Sequence, residues 1–385
     1  MAPRTVDQLS EFTPATLRGA PSPALAMARP GAAGAIEIDD ARDTLPAVGV
    51  GVIGYGYWGP NLARVFAEVA GGRLVAVSDM RPSRLAQARA RHPSAKMIAD
   101  YRDLLADPSV EAVAIATPVS SHYHLATQAL QAGKHVLVEK PIAATSDQAA
   151  RLVDTAAQLG RVLMVDHTFL YTAAVRKIHQ LVAAGHLGQL YYYDSVRINL
   201  GLFQRDVDVL WDLAVHDLSI MDYVLGAQPV AISASGIAHV PGHPTDLAYL
   251  TCFFENNVLG HLHVSWLAPV KIRRTLIGGD RSMIVYDDLE PSEKVKVYDK
   301  GIVVNNEENG HVSGYQMMVD YRVGDMWAPH LELVEGLQVE ALHFLDCIRH
   351  GRTPLSDGTV GLRMIRILEA ASRSLSQHGR PVQVT

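Results

Sequence analysis

The chain has 385 residues, 48% hydrophobic and 19% charged, a globular composition that excludes global disorder. Its 34 Lys and Arg against 40 Asp and Glu give a formal charge of −6, so it lacks the cationic field that a general nucleic-acid binder needs. Cys252 and Cys347 are the only cysteines, too few for a disulfide framework or a cysteine zinc site, and no run of about 18 apolar residues spans a membrane.

Residues 1–46 carry Pro3, Pro14, Pro21, Pro23, Pro30 and Pro46 and no sustained apolar period, which predicts a flexible extension. Its most apolar part is broken by Arg29 and Pro30, unlike a secretory core. Glu37, Asp39, Asp40 and Asp43 are unlike an organelle transit peptide. A cytoplasmic location is the expectation.

From Val48 the rhythm changes. β-rich runs at 48–53, 74–78, 110–116, 135–138 and 162–165 alternate with helical stretches at 61–70, 84–91, 121–132 and 146–159. Alternating strand and helix predicts a doubly wound parallel sheet, here over 47–168. After a helix at 173–184 the pattern becomes β-runs in succession: 190–199, 230–240, 248–254, 259–266, 274–278, 283–286 and 294–298. Strands without crossover helices predict a large, mostly antiparallel sheet. Two closing helices, 332–349 and 359–376, complete a second α/β domain over 169–385 and are candidates to pack back on the first.

The first strand ends in Gly54-Tyr55-Gly56-Tyr57-Trp58-Gly59, a GxGxxG that follows an apolar strand and opens a helix. That is the context of a dinucleotide loop. Gly54 permits the tight turn, Gly56 lets the backbone approach a pyrophosphate, and Gly59 lets helix and strand pack closely. The helix N-terminus offers unpaired N–H groups to phosphate. The second strand ends at Asp79, 25 residues after Gly54. A carboxylate there accepts from the adenosine ribose hydroxyls and repels a 2′-phosphate, so NAD is favoured over NADP. Arg81 and Arg84 are the nearby cations that a 2′-phosphate would meet.

Further along stand Thr117-Pro118-Val119-Ser120-Ser121-His122 and Ala132-Gly133-Lys134-His135-Val136-Leu137-Val138-Glu139-Lys140-Pro141. With the loop before them, and with Asp212, His216 and the Phe344–Ile348 stretch after them, this pattern resembles the Gfo/Idh/MocA oxidoreductases from Val48 onward. The runs around Asp166 to Tyr171 and Trp211 to Asp217 look most like the nucleotide-sugar branch, including UDP-sugar 3-dehydrogenases. The resemblance implies a Rossmann domain plus an α/β domain with an open-faced sheet, with substrate between that sheet and the nicotinamide. It implies dimers or tetramers associated through the sheets. It also adds Thr117, Pro118, His122, Glu139 and Lys140 to Gly54, Gly56, Tyr57, Trp58, Gly59 and Asp79 as cofactor-binding residues.

Oxidising a secondary hydroxyl sends a hydride to nicotinamide and a proton to a base. A base near neutrality and a cation beside the developing alkoxide are therefore required. Lys140 ends a parallel strand, where ligands of open α/β sheets bind. Asp212 and His216 stand four apart, one helix face if that segment is α-helical. His216 suits proton transfer at pH 7, and Asp212 can orient its ring or bind a sugar hydroxyl. Either Lys140 or His216 fits the role of base. His167 and Tyr171 are substrate-contact candidates, as are Arg197 and Asn199, which share one strand face. Asp212, His216 and His167 have spacing open to a metal, but nicotinamide chemistry requires none.

The residues thus predict an NAD-dependent dehydrogenase acting on a secondary hydroxyl of a sugar, with C3 of a nucleotide-linked sugar foremost. Two other readings share the same elements. One is an NAD-retaining glycosidase that oxidises, eliminates and reduces again. The other is a non-catalytic dinucleotide-binding sensor, which the joint presence of Lys140, Asp212 and His216 disfavours.

Overall fold

The computed structural model describes residues 46–201, 203, 207–304 and 319–385. The extension expected over 1–46 lies outside them, save for residue 46. The first sheet comprises β1 Val48–Ile53, β2 Gly72–Ser78, β3 Lys96–Ile98, β4 Ala112–Ile115, β5 His135–Glu139 and β6 Leu163–Asp166. Its helices are α1 Gly59–Glu68, α2 Pro82–Arg91, α3 Tyr101–Ala106, α4 Val119–Gln131 and α5 Ser146–Leu159. The strand order is β3-β2-β1-β4-β5-β6, all parallel. This is the doubly wound order with its switch point beside β1, where a dinucleotide binds. β1 is buried at all six positions, as a central parallel strand covered on both faces must be.

A 3₁₀ turn at Thr168–Tyr171 and α6 Ala173–Ala183 lead into β7 Leu190–Leu200. A π-helical turn at Leu210–Ala214 runs directly into α7 Val215–Leu225. The strands β8 Ala231–Ile237, β9 Leu247–Phe253, β10 Leu259–Ser265, β11 Leu267–Gly279, β12 Met283–Asp287 and β13 Val295–Tyr298 follow. Then come a β14 Gly301–Val304 and β15 Val319–Arg322 ribbon, β16 Met326–Trp327, α8 Gly336–His350, α9 Gly358–Ser376 and β17 Val382–Gln383. Nine strands form one sheet in the order β16-β13-β12-β11-β7-β10-β9-β8-β17. Among the described residues only β7 and β10 of this sheet pair in parallel, so it is mostly antiparallel, as the succession of strands predicts.

Alternation along β7 sorts the two faces. Tyr193, Ser195 and Arg197 are buried against the helices, while Tyr192 and Asp194 lie on the other, open face with Tyr249 and His261. The last two helices return to the parallel sheet. The Phe344 ring of α8 meets Phe66 of α1 edge-on at 6.3 Å. On α9, Glu369 accepts from Ser146 N–H and Oγ at the start of α5. No helix among the described residues is long and apolar enough to cross a membrane.

Arg197 and Asp217 cross from β7 to α7 within the core. Arg197 Nε donates to Asp217 Oδ2 at 2.6 Å and Nη2 to Oδ1 at 3.3 Å, with both side chains only 4% exposed. Removing one partner leaves the other as an uncompensated buried charge. Asp217→Ala should therefore destabilise the protein by about 3–5 kcal/mol, read from chemical denaturation. A loss below about 1 kcal/mol, the value of an exposed pair, would contradict this account.

Candidate active site

The dinucleotide loop has the shape its glycines predict. Gly54 adopts φ +93°, and a Cβ there would lie 2.7 Å from Ala116 O; a Cβ on Gly59 would lie 2.0 Å from Gly54 O. At Gly56 the nearest atom to such a Cβ is Arg81 Nη2 at 3.9 Å, so this backbone faces open space that a pyrophosphate can approach. Trp58 occupies the N-cap of α1 without a side-chain cap, and Pro60 follows in the first turn. The first N–H groups of α1 therefore lack a capping side chain, as an anion site requires.

Asp79 is buried at the end of β2, with Tyr55 N–H donating to Oδ2 at 2.8 Å. Arg81 grips it through Nε on Oδ1 and Nη2 on Oδ2, both at 2.9 Å, and through its backbone N–H. Burial raises the Asp79 pKa, but these hydrogen bonds outweigh it and hold the carboxyl below its ordinary value. Asp79 is thus an anion at neutral pH. The cation best placed to meet a 2′-phosphate is already engaged by it. These residues fit NAD: a turn closed to side chains, a bare loop at Gly56, and an ionised carboxylate on the adjacent strand.

Thr117 and Pro118 follow β4 beside the glycine loop, where a Cβ on Gly54 would lie 2.8 Å from Thr117 Cγ2. The Ser121 hydroxyl lies 2.7 Å from both Thr117 Oγ1 and Pro118 O. His122, expected at the cofactor, is instead a strut. It is 1% exposed, with Nε2 at 2.7 Å from Thr117 O and Nδ1 at 2.8 Å from Pro141 O. Both ring nitrogens are engaged, so it ties the loop after β4 to the loop after β5 and has no atom left for a ligand.

At the next strand end, Lys140 Nζ donates to Asp212 O at 2.8 Å and to Asp212 Oδ1 at 3.1 Å. The π-helical turn puts the backbone carbonyl and the carboxylate of Asp212 on one cation. The other carboxylate oxygen, Oδ2, accepts from the Trp266 indole N–H at 3.0 Å. Trp266 is fully buried and locked in place, since a Cβ on Gly201 would lie 2.2 Å from its ring. Asp212 is therefore held between Lys140 and Trp266. The expected Asp212–His216 pairing on one α-helical face does not form, because a π-turn shifts the register that a spacing of four assumes.

His216 sits just beyond. Its Nδ1 is buried with no partner among the described residues, and Phe169 meets its ring edge-on at 5.2 Å. Burial, then the cations of Lys140, Arg197 and Arg273, hold its pKa well below the ordinary histidine range. His167 is 1% exposed, and both its ring nitrogens lack partners among the described residues. Burial pushes its pKa down to about 4. The centre thus presents two neutral imidazoles beside one held ammonium.

Two substrate-contact candidates leave the set. Tyr171 is fully buried, its hydroxyl 3.0 Å from Ser356 Oγ, so it packs the core. Arg197 faces the helices, paired with Asp217 and stacked 4.5 Å from the Phe169 ring centroid. It shapes the field around His216 and leaves Asn199, half-buried on the same face, as the polar candidate of that strand. No spacing in the chain marks Asp166, Phe169, Asp217 or Trp266 as chemical residues. Asp166 lies in the run of the resemblance, but its partner is far away in the chain: the Trp58 indole N–H donates to its Oδ2 at 2.7 Å.

Fold and site together define a nicotinamide-dependent oxidoreductase of the two-domain kind. Residues 48–167 match the family described as "Oxidoreductase family, NAD-binding Rossmann fold", and 175–285 match the "GFO/IDH/MocA C-terminal domain". UDP-N-acetylglucosamine 3-dehydrogenase of Acidithiobacillus ferrooxidans is 30% identical over 318 residues, covering 82% of this chain and 93% of that protein. The NAD-dependent scyllo-inositol 2-dehydrogenase of Bacillus subtilis is 25% identical, covering 88% and 95%. A solved structure of UDP-N-acetylglucosamine 3-dehydrogenase from A. ferrooxidans superposes with a TM-score of 0.72 at 26% identity, covering 87% of this chain and 99% of that one. The chain belongs to the Gfo/Idh/MocA family of NAD-binding oxidoreductases.

The state of His216 can be checked without a substrate. The folded ring is harder to protonate than the unfolded one. Its contribution therefore penalises the fold as pH falls through about 6.5, the unfolded value, and has no effect above it. A histidine NMR titration, assigned with His216→Gln, should show the His216 ring neutral throughout pH 6–8. A transition near pH 6.5 would refute the role of burial and neighbouring cations.

Proposed function

We propose that the protein oxidises a secondary hydroxyl, C3 of a nucleotide-linked sugar, with NAD as acceptor. The observation that carries the reading is the Lys140–Asp212–Trp266 chain at the strand ends of a family NAD site, a fixed ammonium where an alkoxide would need one. The likeness to a UDP-N-acetylglucosamine 3-dehydrogenase over most of both chains supports the substrate class.

NAD, when bound, supplies the hydride acceptor. Gly56 and the start of α1 hold the pyrophosphate, Asp79 the adenosine ribose, and Thr117 with Pro118 wall the pocket. Lys140 hydrogen-bonds the hydroxyl oxygen and stabilises the charge that grows on it as the proton leaves. Asp212 prevents the ammonium from turning away. His216, neutral at working pH, offers a ring lone pair to the departing proton, while Lys140 carries the electrostatic role. His167 and Asn199 offer polar atoms to the remaining sugar hydroxyls. The open sheet face, where Tyr249 is 40% and Leu259 45% exposed, suits association of two copies. We place this chemistry in the cytoplasm.

Incubating the purified protein with NAD and a panel of UDP-, GDP- and dTDP-sugars should release free NADH with at least one UDP-linked member. Turnover of free polyols with none of the nucleotide sugars would overturn the substrate class. Substrate cleavage without NADH release would favour the NAD-retaining reading.

A further inference from the structure

The charges around the strand ends do not cancel. Lys140 is paired with Asp212, Arg197 with Asp217, and Arg363 with Asp222. His167 and His216 are neutral for the reasons given above. One group is left over. Asp166 ends β6, is 3% exposed, and has no ion pair among the described residues. Its hydrogen-bond donors are uncharged: the Trp58 indole N–H on Oδ2 and the Thr168 hydroxyl on Oδ1.

Two further carboxyls crowd it. Glu139 stands opposite Asp166 in the β5–β6 register, and Glu340 reaches in from α8, itself fully buried. Glu139 Oε1 and both Glu340 oxygens find no donor among the described residues. Three carboxylates cannot share one unhydrated space in ionised form. The two donors at hand, the Trp58 indole N–H and the Thr168 hydroxyl, both point at Asp166. Burial and then the neighbouring Asp166 carboxylate push Glu139 and Glu340 well above the ordinary carboxyl range, toward the neutral form. The donors single out Asp166 as the carboxylate of the cluster, and the nearest cation, Lys140, is already committed to Asp212.

A buried carboxylate without a counter-ion is poor packing, and asparagine would fill the space more favourably. Its place in the fold suggests what the charge is for. Strands β4, β5 and β6 form the half-sheet over which the second mononucleotide of a dinucleotide lies, once Asp79 on β2 holds the first. The oxidised nicotinamide ring is a cation and the reduced ring is not. We propose that Asp166 is the counter-charge of the oxidised nicotinamide, a buried anion held by neutral donors that makes the site bind NAD⁺ more tightly, relative to NADH, than a neutral site would. The same anion steadies the loop through Trp58, so charge and loop position are linked in one side chain.

This inference concerns the cofactor alone and stands whichever hydroxyl compound is oxidised. Calorimetric titration of the full chain with NAD⁺ and, separately, with NADH tests it without substrate. Asp166→Asn keeps the shape and an acceptor for Trp58 while removing the charge. It should weaken NAD⁺ by about tenfold and NADH by no more than about twofold, with the melting temperature unchanged or raised. Glu340→Gln, which replaces a carboxyl that burial already pushes toward its neutral form, should leave the ratio of the two dissociation constants within about twofold of wild type. Equal weakening of both forms by Asp166→Asn would reduce the residue to a loop anchor and overturn the proposal, as would no change in either. A shift in the Glu340→Gln ratio as large as that of Asp166→Asn would overturn it too. Should the asparagine variant misfold, Asp166→Ser removes the same charge with less bulk and is read against the same outcomes.

Discussion

The arrangement depends on one cation held across two sheets. Lys140 belongs to the parallel sheet and Asp212 to the turn before α7, 72 positions later in the chain, yet they meet through two hydrogen bonds. The parallel sheet delivers an ammonium to its strand ends, where the dinucleotide loop also opens. The π-turn offers that ammonium a carbonyl and a carboxylate together. Trp266, at the end of β10, fixes the carboxylate from the other side. A flexible four-carbon lysine is thereby reduced to one position, as its proposed electrostatic role requires: charges must be in place before the oxygen becomes negative.

Burial then sets the protonation of everything nearby. In a partly desolvated space each unpaired group moves toward its neutral form, and only groups with good partners remain charged. His167 and His216 become bases with available lone pairs, and Glu139 and Glu340 become acids. Arg197 and Asp79 keep their charges because a carboxylate and donors stand against them. The same physics that makes the buried Arg197–Asp217 pair a structural liability when broken makes it a fixed source of field when whole. Phe169 passes between these layers: its face takes the Arg197 guanidinium and its edge meets His216.

Much of the fold is legible in the sequence because its rules are local. The period-two and helical runs between Val48 and Val165 define the parallel sheet, and GxGxxG followed by Asp79 marks the cofactor side. Lys140 is legible because a strand end is a place in the fold as well as in the chain. What the sequence hides is pairing at a distance. Asp166 meets Trp58 across 108 positions and Asp212 meets Trp266 across 54, and no spacing rule links either pair. Alternation put Arg197 and Asn199 on one face, correctly, but could not say which face opens to ligand; Asp217 settles that by drawing Arg197 into the core. His122 and Tyr171 look chemical by type, and only burial reveals them as packing and bracing residues. The Asp212–His216 spacing misled because it presumed 3.6 residues per turn where the chain takes a wider one.

The central claim is that Lys140 and Asp212 act as one unit. A double-mutant cycle of Lys140→Ala and Asp212→Ala, read as the single-turnover rate of NADH formation with the sugar nucleotide found by screening, tests it most directly. If the two are one device, the double variant should be no more than about threefold slower than the slower single variant, far from the product of the two losses. Losses that multiply would show two independent contributions and would contradict the account.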